Sequence, residues 1–167
     1  MVKDRIEKLR RVMRDKGINV YYITTNDFHG SEYVGDYFKC RKYITGFTGS
    51  AGVAVITMDE AKLWTDGRYF IQAAAELEGT EIELMKMGEE GVPTVKEYLE
   101  SIMEAGQVLG FDGRCVDYRY ADSLEKMLHK KDVRIVYQLD LVGEIWEDRP
   151  ALLSKEVMSL DIKYCGE

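Results

Sequence analysis

The chain has 167 residues, of which 46% are hydrophobic and 32% are charged, and its formal net charge at pH 7 is -7. That length and apolar content are enough for one hydrophobic core and argue against a disordered chain. The acidic balance lacks the basic stripe that a nucleic-acid or anionic-membrane surface needs, and no apolar run approaches the roughly 18 residues of a membrane span, so neither partner is expected.

The first predicted element is an amphipathic helix at the start of the chain. Its apolar residues recur at helical spacing, with charged residues between them and Gly17 at the C-terminal end: Val2, Ile6, Leu9 and Met13. Residues 1–14 are too charged for a signal peptide, which predicts a cytoplasmic location. A β-branched and aromatic strand follows over residues 18–24.

A long polar stretch, residues 25–42, comes next and carries His29, Glu32 and Tyr33. Connections longer than about 12 to 15 residues tend to be functional or mobile, which makes this stretch a candidate binding loop. The alternative is an ordinary surface loop with a short helix near residues 38–43.

Three glycines, Gly46, Gly49 and Gly52, lie in the segment 46–52 just before the apolar run 53–57. Glycine permits positive φ and close approach of the backbone to other groups. A phosphate-binding loop would follow a strand and open a helix, whereas this segment opens a strand. The segment therefore predicts a tight structural turn.

A second apolar run, residues 61–65, is predicted to pair with the first as an antiparallel hairpin. The strand then gives way to a helix over about residues 68–77, and Asp66 stands where an N-cap carboxylate would accept from free amides. Gly67 lets the chain turn sharply. Arg68 has two interpretations: a structural pair with a carboxylate inside the fold, which is favoured, or a donor displayed towards a peptide or partner.

The remainder of the chain alternates strands with helices. Strands are predicted over residues 81–87, 107–112 and 133–138, and helices over 94–104, 118–129 and 141–146. This alternation predicts an α/β layer fold with a mixed sheet, in which crossover helices join parallel neighbours. The Asp-Gly-Arg step at residues 112–114 follows a strand, as the step at 66–68 does, and predicts the same turn.

The three cysteines, Cys40, Cys115 and Cys165, show no paired spacing and are interpreted as free thiols in a reducing compartment. A cysteine nucleophile stays open, because a histidine base could be brought close in space. The two histidines, His29 and His129, belong to no motif with metal-ligand spacing.

The segments 46–52 and 63–70, which read GFTGSAG and LWTDGRYF, resemble the N-terminal domain of Xaa-Pro aminopeptidases, the aminopeptidase P branch of the creatinase/prolidase group. Residues 26–33, NDFHGSEY, are similar to the family's Asp-Pro-His-x-Ser-Glu-Tyr loop, with Phe28 where a proline is usual. Residues 141–150, LVGEIWEDRP, resemble the exit of the family from its first domain.

The resemblance implies a ribonuclease-H-like domain over residues 1–148, with a mixed six-stranded sheet flanked by helices, and a linker over 149–167. It also implies a second domain and a catalytic domain outside this chain. In the family the catalytic domain holds two metal ions, commonly manganese, with two aspartates, a histidine and two glutamates. This chain is therefore expected to contain no metal or cofactor and to be inactive alone.

The activity that the resemblance implies is release of the N-terminal residue from peptides with proline second, by a full-length homodimer. This domain would form a wall of the active-site entrance, with these candidate residues: His29, Glu32, Tyr33, Arg68, Tyr69 and Phe70. One alternative is a non-catalytic peptide-binding module of the same fold, as in creatinase-like domains of histone-chaperone subunits. A nucleotide-binding member of the ribonuclease-H-like group would need clustered carboxylates, and those here are dispersed.

Overall fold

The computed structural model describes residues 1–164, and within them the backbone forms six α-helices and one six-stranded sheet. The helices are α1 Val2–Asp15, α2 Cys40–Thr45, α3 Phe70–Leu77, α4 Val95–Ile102, α5 Tyr118–His129 and α6 Leu141–Ile145. The strands are β1 Val20–Ile23, β2 Val53–Thr57, β3 Ala61–Thr65, β4 Ile82–Lys86, β5 Val108–Phe111 and β6 Arg134–Val136. Cys165, interpreted above as a free thiol, lies outside the described residues.

The sheet is mixed, with the strand order β4-β3-β2-β1-β5-β6. Strand β2 runs antiparallel to both of its neighbours, β1 and β3, whereas the pairs β1–β5, β5–β6 and β3–β4 are parallel. All strands except β2 therefore run in one direction, and their carboxyl ends meet at one edge of the sheet. We call this the carboxyl edge; the segments 24–39, 66–69 and 112–117 leave β1, β3 and β5 there. The α/β fold with a mixed six-stranded sheet is confirmed.

Two hydrophobic clusters cover the two faces of the sheet. Tyr21 belongs to one cluster and Tyr22 to the other, because successive strand side chains point to opposite faces. Helices α1, α2, α3 and α6 pack on the Tyr21 face, and α4 and α5 pack on the Tyr22 face. The amphipathic helix predicted at the start of the chain is confirmed as α1, since its apolar residues Ile6, Leu9 and Met13 are all fully buried.

The structure refines several predicted boundaries. The helix expected over 68–77 begins as a 3-10 turn, Gly67–Tyr69, and becomes α-helical only at Phe70. The short helix expected near 38–43 is α2, Cys40–Thr45, and a 3-10 turn, Asp36–Phe38, precedes it. Helix α5 has the predicted bounds, and its N-cap Asp117 accepts from the Tyr120 amide.

Near its end the described chain is tied back onto the domain by Arg149. The Arg149 guanidinium donates from Nη1 to Asp140 Oδ2 at 2.5 Å and from Nε to the Tyr37 carbonyl oxygen at 2.9 Å. Residues 151–161 have no regular secondary structure, and apolar side chains such as Leu153 and Val157 are exposed there. None of the helices in residues 1–164 is both long and apolar enough to cross a membrane.

Candidate functional site

The carboxyl edge carries a cleft of about 320 Å³ between two segments of the chain. One side is the loop from β1 to α2, residues 24–39, which we call the β1–α2 loop and which contributes Glu32 and Tyr33. The other side is the glycine turn, defined as residues 46–52. The start of α2 lies between them and contributes Arg41 and Lys42. The candidate binding loop and the glycine-rich segment thus line the same cleft.

Arg41 holds this cleft in shape, although it is not among the candidate residues that the sequence pattern indicates. Its side chain is only 2% exposed. The guanidinium donates from Nη1 to the Phe47 carbonyl oxygen at 2.6 Å, from Nη2 to the Gly49 carbonyl oxygen, and from Nε to Thr25 Oγ1 at 2.8 Å. Burial lowers the pKa of Arg41 to about 10, so the group stays charged at neutral pH. One sequence signal existed: Arg41 shares a helix face with the buried residues Ile44 and Thr45.

The glycine turn is as tight as its composition suggests. Gly46 has a φ of 77° and ends α2 in the left-handed region. Gly52 has no room for a side chain, because a Cβ there would lie 2.9 Å from the Trp64 carbonyl oxygen. Helix α3 also holds the turn, since Glu76 accepts from the Thr48 amide at 2.7 Å.

The turn after β3 is a self-contained pair of Asp66 and Arg68. The Asp66 carboxylate accepts from the Arg68 amide at 3.1 Å and from Arg68 Nε and Nη2 at 2.9 and 2.8 Å. The hydrogen bond from the Arg68 side chain lowers the pKa of Asp66. Because the Arg68 side chain is 70% exposed, the favoured expectation of a pair inside the fold is wrong. The pair forms at the surface and leaves Nη1 of Arg68 free of Asp66.

The turn after β5 repeats this geometry, as the sequence predicted. Asp112 accepts from the Arg114 amide at 3.1 Å and from Nε and Nη2 at 2.9 and 2.8 Å. Arg114 has a further partner, since Nη2 lies 3.0 Å from Asp140 Oδ2. Its guanidinium carbon also lies 5.2 Å from the ring centroid of Phe28 in the β1–α2 loop. The turn after β5 therefore contacts and supports that loop, whereas the Arg68 side chain is more exposed than that of Arg114.

The six candidate residues for the entrance wall do not all meet. Glu32 and Tyr33 line the cleft, and the Tyr33 side chain is 84% exposed. Tyr69 reaches the rim, where its hydroxyl lies 2.7 Å from Ser50 Oγ. His29 and Phe70 are outside the lining.

His29 is fixed by its backbone and not by its ring. Asp27 accepts from the amides of Ser31 and His29 at 3.0 and 2.8 Å, and these bonds lower the pKa of Asp27 to about 2. The imidazole is exposed.

Residues 1–164 show no cluster of metal-binding side chains, and neither Cys40 nor Cys115 is an activated thiol. Among residues 1–164, no three side chains of the types that bind metals come close enough together to hold an ion. Burial raises the pKa of the Cys40 and Cys115 thiols to about 12, which disfavours the thiolate that a nucleophile needs.

Comparisons with known proteins identify the fold and its relatives. Residues 5–144 match the family model of the creatinase/prolidase N-terminal domain. The chain is 39% identical to Aminopeptidase P2 of Arabidopsis thaliana over 99% of this chain and 24% of that protein. It is 35% identical to Xaa-Pro aminopeptidase 1 of Dictyostelium discoideum over 99% of this chain and 28% of that protein. The chain thus spans about a quarter of the length of these curated relatives, in their N-terminal part.

Solved structures of the same family have the same fold as this chain. An X-prolyl aminopeptidase from Caenorhabditis elegans, described as a cytosolic enzyme with a di-nuclear active site, superposes with a TM-score of 0.87 at 35% identity. That alignment covers 98% of this chain and 28% of the enzyme. The N-terminal domain of the cytoplasmic peptidase PepQ from Mycobacterium tuberculosis superposes with a TM-score of 0.59 at 27% identity, over 85% of this chain and 98% of that one.

Proposed function

The chain belongs to the creatinase/prolidase N-terminal domain family, and on that premise we propose that it is the non-catalytic first domain of a metal-dependent Xaa-Pro aminopeptidase. The whole enzyme would release the N-terminal residue from peptides with proline second. The observation that carries this proposal is the match of nearly the whole chain to about the first quarter of Aminopeptidase P2. Residues 149–167 would then lead towards the second domain, with a cytoplasmic location and a homodimer for the whole protein.

The metal ions of such an enzyme would be held by the catalytic domain. The C. elegans structure is described as having a di-nuclear active site, which supports two ions there; manganese is our proposal for their identity. Residues 1–164 do not fit such a centre, because no suitable cluster of metal-binding side chains exists among them. This domain would act on the substrate by shaping the path to the catalytic centre.

The surface best suited to that role is the carboxyl edge. Glu32 and Tyr33 line its cleft, Tyr69 joins the rim through Ser50, and the exposed Arg68 presents a permanent charge beside them. The Asp66 carboxylate raises the pKa of Arg68, and the charge of Glu32 adds to this effect. We assign His29 and Phe70 to the periphery of the same wall.

Hydrolysis of an Xaa-Pro-Xaa peptide with manganese tests the proposed function. The product of the complete reading frame is expected to cleave the peptide, and the 167-residue chain is expected to show no activity. Activity in neither would favour a peptide-binding module of the same fold. Activity in the short chain alone would contradict the assignment of the chemistry to another domain.

The role of Arg68 is tested by Arg68→Ala in the longer protein. Because the side chain is exposed, the urea midpoint should stay unchanged while KM for the peptide rises and kcat is retained. Arg134→Ala is the control, since it removes an exposed arginine from the start of β6, away from the carboxyl edge. An unchanged KM in Arg68→Ala, or an equal rise in both variants, would contradict a specific contact between Arg68 and the peptide.

A further inference from the structure

The cleft at the carboxyl edge concentrates positive charge in an acidic chain. The formal net charge is -7 at pH 7, yet the charged residues that line the cleft are Lys39, Arg41, Lys42 and Glu32. Three cations thus face one carboxylate there.

These cations differ in how far their charge is already balanced. Lys39 pairs with Asp36. Arg41 donates only to neutral acceptors, so its hydrogen bonds hold the glycine turn without neutralising the guanidinium, and three of its five N–H donors are used. Burial lowers the pKa of Arg41 and the negative charge of Glu76 opposes this effect, but the Glu76 carboxylate is itself hydrogen-bonded to Thr48. Lys42 is exposed and makes no ion pair with any other residue in the range 1–164.

The size and lining of the cleft set the class of ligand. A volume of about 320 Å³ lies at the lower end of the range for small-molecule sites, roughly 300 to 1,000 Å³. A carboxylate can gain a charge-assisted hydrogen bond from the exposed Lys42, and the buried charge of Arg41 beside the cleft also favours an anion there. Glu32 disfavours a dianion such as phosphate and can accept an N–H from a peptide backbone. The lining therefore suits a singly charged carboxylate that carries amide groups.

We infer that this cleft binds the C-terminal carboxylate of a short peptide, with Lys42 as its principal partner and Glu32 as an acceptor for peptide N–H. The identification of the ligand as a peptide rests on the proposed function. The inference adds a place where the end of a short substrate is recognised, and predicts that short peptides with a free C-terminus are preferred.

The test is an NMR titration of the 167-residue chain in which the backbone amide chemical shifts are monitored. The probes are Ala-Pro-Ala, its C-terminal amide, and acetate. The free acid is expected to shift the amides of Lys42, Gly49 and Ser50 and to bind about fivefold more tightly than the amide. Equal binding of acid and amide, or shifts confined to other surfaces, would overturn the inference. Acetate that binds as tightly as the peptide would overturn the assignment to a peptide.

Substitutions show whether each charged residue strengthens or weakens binding of the anion. Lys42→Gln should weaken binding of the free acid about threefold, and Glu32→Gln should strengthen binding of acetate, because a repelling charge is lost. Lys130→Gln removes one charge from the exposed end of α5, outside the cleft, and should leave binding unchanged. Equal losses in the Lys42 and Lys130 variants would show a general charge effect and overturn the site.

Failure here can be told apart from failure of the proposed function. If the longer protein hydrolyses Xaa-Pro-Xaa peptides but the free acid and its amide bind the chain equally, the inference is overturned and the proposed function stands. If the chain binds the free acid at the cleft and the longer protein hydrolyses nothing, the site is supported and the peptidase proposal fails.

Discussion

Replacing Arg41 with alanine is expected to lower the free energy of unfolding by about 3 kcal/mol. The side chain is 2% exposed, and its removal leaves the carbonyl oxygens of Phe47 and Gly49 without their donor inside the protein. The substitution also opens a void beside the Phe47 ring, which lies 4.6 Å from the guanidinium carbon. Part of this loss is offset because the desolvated charge disappears as well.

Urea unfolding of the 167-residue chain measures the effect. Arg41→Lys should fall between the parent and the alanine variant, because one ammonium can reach some but not all of the acceptors. Arg134→Ala is the control: that arginine is exposed on β6, and its loss should change stability by less than about 0.5 kcal/mol. An Arg41→Ala protein as stable as the control would mean that water replaces the guanidinium and that the glycine turn needs no internal donor.

Local chemistry explains which parts of the fold the sequence predicted. The hairpin of β2 and β3 and the bounds of α5 follow from apolar periodicity and from cap residues within a few positions. The repeated Asp-Gly-Arg turn was predictable for the same reason, since the bonds between its aspartate and its arginine join residues two positions apart. These features depend on neighbours in the sequence.

Whether each arginine is buried or exposed depends on tertiary structure, so it could not be predicted from local sequence patterns. Arg41 is buried because the β1–α2 loop and the glycine turn close over the start of α2. Arg68 stays exposed because its partner is in its own turn. Arg149 is held to Asp140 and Tyr37, which lie 9 and 112 residues earlier in the sequence. A charged residue has no periodic signal that tells which of these environments it will enter.

The candidate site was predicted in part for a related reason. Glu32 and Tyr33 were singled out because a long loop follows a buried strand, and the carboxyl edge does place them in a cleft. His29 lies in the same loop but outside the lining, because Asp27 turns the backbone at that point. To predict which residues of a loop line a cleft, one needs the backbone conformation of that loop, and the amino-acid composition does not specify it.

Replacing Gly49 with alanine is expected to lower the free energy of unfolding by about 2 to 3 kcal/mol through overpacking. An added Cβ would overlap the buried Phe47 ring and lie 2.8 Å from Cδ1 of Tyr69. These two rings pack edge to face with their centroids 5.9 Å apart, so neither can move without disturbing the other. Gly35→Ala is the matched control, because Gly35 has a φ of -63° and an added Cβ would lie 3.9 Å from Phe38.

The double variant Arg41→Ala/Gly49→Ala tests whether the two residues stabilise one unit. Arg41 donates to the Gly49 carbonyl oxygen, so a turn already displaced by the extra methyl group has less to lose when the guanidinium is removed. The combined loss in urea unfolding should therefore be smaller than the sum of the two single losses, by about 1 kcal/mol. Losses that add fully would mean that Arg41 and the Phe47–Tyr69 packing stabilise the glycine turn independently, and that the cleft is held by two separate sets of contacts.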